Sequence, residues 1–192
     1  MRPRRPIIGV IGSGDRAYPE LSRPLGEWIA RQGFHLLNGG GGGVMQAVAE
    51  AFQQSEAPAG QVIGVLPANT ACEHPEERAR HRPPDGYPNP FVDIPIVTHL
   101  PLSGSRGRET ASRNHIVVLS ADFIVALPGS QGTASEIQLA LEYGKPHVLL
   151  NADRVWESFR GKGAALVENL DAVFEAIEKW KREPGSPLQD AL

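Results

Sequence analysis

Short apolar runs alternate with amphipathic stretches along most of this chain, and three of the runs end in glycine-rich turns. That rhythm limits the fold more than any other feature. "PIIGVIG" (6–12), "FHLLNGG" (34–40), "QVIGVLP" (61–67), "DFIVALP" (122–128) and "HVLLN" (147–151) read as buried strands. "FVDIPIVTHL" (91–100) contains another, kept short by Pro95. Helical periodicity marks "LSRPLGEWIARQG" (21–33), "VMQAVAEAFQQ" (44–54), a stretch from Arg108 to Ser120, "TASEIQLALEYG" (133–144) and "AALVENLDAVFEAIEKW" (164–180). Gly33 and Gly144 are placed to end their helices. Strands and helices alternating over short connections predict an α/β protein, a Rossmann-like doubly wound parallel sheet with helices on both faces.

The 192 residues suit a single domain, assigned to 1–182, followed by a C-terminal tail, 183–192, with little to bury. One segment breaks the rhythm. "ANTACEHPEERARHRPPDGYPNP" (68–90) is long, polar and proline-rich, and loops of that length are commonly functional, so it is a candidate lid. A net charge of −3 gives no broad attraction to nucleic acid, and no nucleic-acid partner is expected. The run "IVVLSADFIVAL" is too short to span a bilayer and holds Asp122, and the arginine-rich start lacks a signal-peptide core. A cytoplasmic protein without a membrane partner is the expectation. Cys72 is the only cysteine, which excludes an internal disulfide and a cysteine metal cluster. The six histidines show no zinc-binding spacing, so no metal and no cofactor is expected.

In such a sheet, ligands bind beyond the carboxyl ends of the strands. That is where "GSGD" (12–15), "GGGGG" (39–43) and "GSQGT" (129–133) fall. The dinucleotide fingerprint does not fit, because "GVIGSG" reverses its spacing and the second strand ends at Asn38 rather than an acid. No P-loop and no G-x-S-x-G elbow is present. What does fit is an anion held by backbone N–H groups at a helix N-terminus, where the helix dipole favours negative charge. Two glycine turns lead into helices, giving Gly39 to Gly43 and Gly129 to Thr133 as candidates, with Gly12 and Ser13 of the first turn beside them. "TASE" permits two readings. Thr133 as N-cap and Glu136 three residues on form a capping box, or Glu136 points at the ligand.

"RNHIVVLSADFIVALPGSQGTASE" (113–136) resembles the signature of the LONELY GUY family, long mislabelled lysine decarboxylases: an arginine, then a strand ending P-G-G-x-G-T-x-x-E. "GVIGSG", "NGGGGGVMQAVAEAF" and "GQVIGVLP" resemble its other blocks in order, so the resemblance covers most of 7–150. It implies a homodimer or higher homo-oligomer of Rossmann-like subunits that cleaves the N-glycosidic bond of nucleoside 5′-monophosphates to free base and ribose 5-phosphate. By position it implies Arg113 and Glu136 as catalytic. Gly129, Ser130, Gly132 and Thr133 would hold the phosphate, and Gly12, Ser13, Gly39, Gly40, Gly41, Gly42, Gly43, Met45 and Asn114 would complete the nucleotide site. The chemistry is coherent, since losing the base builds positive charge on the sugar that a carboxylate can offset. Three positions depart from the hydrolase pattern: Ser130 replaces a glycine, Asn114 a lysine and Thr110 a methionine. "RN" with "G-T-x-S-E" is similar to a sister branch that includes molybdenum cofactor carrier proteins, which implies a non-catalytic carrier or sensor of a phosphorylated ligand as the alternative.

Overall fold

A computed structural model describes residues 4–183. Seven strands form one parallel sheet: β1 Ile7–Ile11, β2 His35–Asn38, β3 Val62–Leu66, β4 Ile94–Val97, β5 Phe123–Ala126, β6 His147–Leu150 and β7 Leu166–Val167. Their spatial order is β4-β3-β2-β1-β5-β6-β7, with every neighbouring pair parallel. The chain winds outward from β1 on one side, then returns to the centre and winds outward from β5 on the other. This is the doubly wound, Rossmann-like arrangement, and its topological switch point lies between β1 and β5.

The helices are α1 Pro19–Arg31, α2 Val44–Gln53, α3 Pro75–Arg80, α4 Asn114–Ser120, α5 Gln131–Glu142 and α6 Leu170–Lys181. Alternate strand residues face opposite sides. Ile8, Val10, Leu36, Phe123 and Val125 meet Leu25, Ile29, Val48, Phe52, Val173 and Ile177, so α1, α2 and α6 cover one face. Ile11, Leu37, Val65, Ile124 and Ala126 meet Val117, Val118, Ile137 and Leu139 of α4 and α5 on the other. Burying each such aliphatic or aromatic side chain contributes ~1.5–3 kcal/mol. Helices α1 and α2 cross so closely that a β-carbon at Gly26 would collide with the Val48 carbonyl.

The expected strands and most helices are present, with four corrections. The helix expected over 108–120 begins only at Asn114. Before it, the Gly104–Arg106 3-10 turn, Gly104 at φ 60° and the Arg106–Glu109 ion pair hold the chain in turns. The stretch 164–180 is divided into β7 and α6, because Asn169 caps α6 by accepting from the Ala172 N–H at 2.9 Å. Helix α5 starts at Gln131 with Ser130 as N-cap, so Thr133 lies inside its first turn and the capping box at 133–136 does not form. Residues 68–90 are not a bare loop. They contain α3, started by the Glu77 side chain accepting from the His74 N–H at 2.9 Å. Most of the C-terminal tail lies outside the described residues.

Candidate functional site

A cavity of about 340 Å³ opens at the switch point, in the ~300–1,000 Å³ range common for ligand pockets. Its walls come from the end of β1 and the turn after it, the glycine run and the start of α2, Tyr87, residues 103–104, the start of α4 and the N-terminal part of α5. Of the residues singled out in the sequence, Gly12, Gly39, Met45, Arg113, Asn114, Ser130, Gly132, Thr133 and Glu136 line it together. Ser13, Gly40, Gly41, Gly42, Gly43 and Gly129 do not. Larger cavities elsewhere are less suited to chemistry. One of about 440 Å³ lies between the carboxyl ends of α1 and α2, near where β2 begins rather than where strands end.

Arg113 and Glu136 form the buried centre of the site. The Arg113 Nη1 donates to Glu136 Oε1 at 3.3 Å and also to the Asn114 side-chain carbonyl. Both ionic side chains are about nine-tenths buried. Burial pushes the Glu136 carboxyl above the ordinary carboxylate range, and the neighbouring guanidinium only partly offsets this. Oε2 of Glu136 has no hydrogen-bond partner among the described residues. Arg113 Nε is likewise buried without one. A buried donor left unpaired is uncommon, and here it is a hydrogen-bonding group available to a ligand. Glu136 therefore faces the cavity and pairs with Arg113, and it does not fold back to cap its helix.

The two glycine turns differ. The Val44 N–H, first of α2, is spent on the Ser13 carbonyl at 2.9 Å. Gly40 and Gly43 take positive φ, 74° and 59°, that the sharp turn requires. A β-carbon at Gly39 would fall inside the Arg113 guanidinium, and one at Gly41 would lie 2.6 Å from the Tyr87 hydroxyl oxygen. This run is built mainly to let neighbours approach. Asn38, where a dinucleotide site would place an acid, instead braces it: its side chain accepts from the Gly40 N–H at 2.8 Å and donates to the Met45 carbonyl at 3.1 Å. At the β5–α5 turn no N–H of the helix start is taken in this way. Ser130 makes no side-chain capping bond, and among the described residues the N–H groups of Gln131, Gly132 and Thr133 have no acceptor. Those are the orphan donors of a helix start, and this turn borders the cavity.

Sequence reading missed Gly14, Asp15, Ser103, Gly104 and Tyr87, all of which line the cavity. "GSGD" was a visible signal for the first two. Tyr87 belongs to "GYPNP", whose role no motif assigns. Asn89 pins that segment to the glycine run, its backbone N–H donating to the Gly40 carbonyl at 2.8 Å and its side chain to the Gly41 carbonyl at 2.9 Å. The segment 68–90 thus reaches the cleft through its last residues. Ser13 serves the first turn from outside the cavity, accepting from the Asp15 and Arg16 N–H groups and donating its own N–H to the Pro128 carbonyl. Among the described residues no helix is long and apolar enough to cross a membrane.

The family model of the SLOG cluster4 family matches residues 5–176. An uncharacterized protein of Archaeoglobus fulgidus is 35% identical over 160 residues, covering 79% of this chain and 87% of its own. Among solved structures, the molybdenum cofactor binding protein of the phototrophic bacterium Rippkaea orientalis superimposes with a TM-score of 0.66 at 30% identity, over 92% of this chain and 97% of that one. The molybdenum cofactor carrier protein of Chlamydomonas reinhardtii gives a TM-score of 0.66 at 31% identity, over 92% and 98%.

Proposed function

The chain belongs to the SLOG cluster4 family, and from that premise we propose that it binds a small phosphorylated ligand in the switch-point cleft and acts as a carrier of it, a molybdenum-cofactor-like pterin being the leading candidate. The observation that carries this reading is the set of N–H groups at Gln131, Gly132 and Thr133 that lack an acceptor among the described residues, with Gly132 and Thr133 on the cavity wall. Among the described residues Arg113 is the only lysine or arginine lining the cavity, its charge is already opposed by Glu136, and Asp15 lines the same cavity. A phosphate there is held chiefly by backbone donors and the α5 dipole, with Ser130 and Thr133 hydroxyls beside them. Asn114 supports a carrier, since it adds no charge and ties down Arg113. Two solved relatives named for binding or carrying molybdenum cofactor support the ligand class.

One observation favours a second reading, a nucleoside 5′-monophosphate phosphoribohydrolase. Glu136 lines the cavity with an unpaired oxygen and is not occupied in capping. In that reaction water adds to C1′ of the ribose, the C–N bond breaks, and the water proton ends on the departing base. Glu136 orients the water and offsets the sugar's positive charge.

A single set of assays tests both. Purified protein is titrated by calorimetry with molybdenum cofactor and with AMP, GMP, CMP and UMP, and each mixture is analysed for free base. The carrier reading expects saturable binding of the pterin, weakened by Gly132→Asp, and no base release. Base release that disappears in Glu136→Gln establishes the hydrolase instead. Binding of none of these compounds overturns the carrier and the hydrolase readings alike.

A further inference from the structure

We propose that Tyr87 recognises the flat heteroaromatic half of the ligand, stacking on its ring while the phosphate occupies the β5–α5 turn. This rests on the reading that the cleft takes a phosphorylated ligand. Tyr87 is the one aromatic side chain among the described residues that line the cavity. The phosphate donors at Ser130, Gly132 and Thr133 line the same cavity, so one ligand can meet both walls.

The ring is placed, not merely present. Gly41 leaves no room for a side chain beneath it, because a β-carbon there would meet the ring at 2.6 Å. Asn89 fixes the backbone two residues on by its two bonds to the glycine run. The Tyr87 N–H donates to the Pro84 carbonyl at 3.1 Å, fixing the backbone on the other side. The phenol itself bonds nothing among the described residues. A tyrosine serving as a hydrogen-bonded strut would use its hydroxyl, and a plain apolar plug would not need an aromatic ring in the lining of a largely polar cavity. A half-buried aromatic face held rigidly beside a phosphate cradle suits a purine or pterin. It has no aromatic ring to stack on in a sugar phosphate that lacks a base.

The test compares AMP and molybdopterin with ribose 5-phosphate, by calorimetry, on the wild type, Tyr87→Phe, Tyr87→Leu and Tyr87→Ala. Phe is expected to retain affinity for the ring-bearing ligands. Leu and Ala are expected to lose about 5- to 150-fold, the range found when an aromatic stacking partner is removed from a base. Ribose 5-phosphate affinity stays unchanged in all four. Full affinity for AMP and molybdopterin in Tyr87→Leu overturns the inference, because filling space would then suffice. So does an equal loss for ribose 5-phosphate, which would mean the cleft had lost its shape. If the wild type binds ribose 5-phosphate but neither ring-bearing ligand, the phosphate reading stands and the role of Tyr87 falls. If it binds none of the three, both fall.

Discussion

At the scale of single residues, the Arg113–Glu136 pair sets both stability and charge in the cleft. Removing one member of a buried pair strands the other, so Glu136→Ala is expected to destabilise the fold by about 3–5 kcal/mol in a denaturant melt. Glu136→Gln retains an acceptor for Arg113 and should cost clearly less. The raised carboxyl also predicts a pH dependence. The folded protein holds the Glu136 proton more tightly than the unfolded chain, whose carboxyl titrates near 4.5. Stability therefore declines as pH rises from 4.5 through the higher folded value, then levels off. Melts of wild type and Glu136→Gln across that window should differ by this slope, and parallel curves would contradict it. Both residues were legible in the sequence through their registered motif. The direction Glu136 takes was not, because the capping box depends on which residue begins the helix, and Ser130 rather than Thr133 does so.

At the scale of elements, the segment 86–90 and the glycine run act as one clamp. Asn89 is 3% exposed and carries two of its bonds. Asn89→Ala leaves the Gly41 carbonyl without that donor and is expected to cost about 1–3 kcal/mol, with faster hydrogen exchange at residues 86–90 before the sheet opens. Unchanged exchange there would show that the clamp is not held by Asn89. The α1–α2 crossing is equally specific. Gly26→Ala forces a methyl against the Val48 carbonyl and Ala51, and the overpacking should cost about 1–3 kcal/mol or more and lower Tm. Apolar periodicity made strands β1 to β3, β5 and β6 and helices α1 and α2 readable. It could not show β7, whose two residues are half-buried at the sheet edge, or the turns over 104–113, where long-range packing beats local propensity. The clamp was unreadable for the same reason: Asn89 meets Gly41 across 48 residues of chain.

At the scale of the whole molecule, strand order does most of the functional work. With β1 at the centre and the winding reversed between β1 and β5, the crevice at their carboxyl ends gathers residues from six separate stretches of chain. The alternating pattern foretold the architecture, and the glycine turns foretold which end of the sheet matters. Neither told the two glycine turns apart. That distinction came from hydrogen bonding, since the Ser13 carbonyl takes the first N–H of α2 while none of the first three N–H groups of α5 has an acceptor among the described residues. On the proposed function, phosphate therefore lands on α5. Amide NMR during titration with molybdopterin, and with AMP, reads this directly. Saturating shifts are expected to concentrate at Gln131, Gly132 and Thr133, with Gly42 and Gly43 moving little. Shifts centred on 39–43, or on the cavity between α1 and α2, would contradict it.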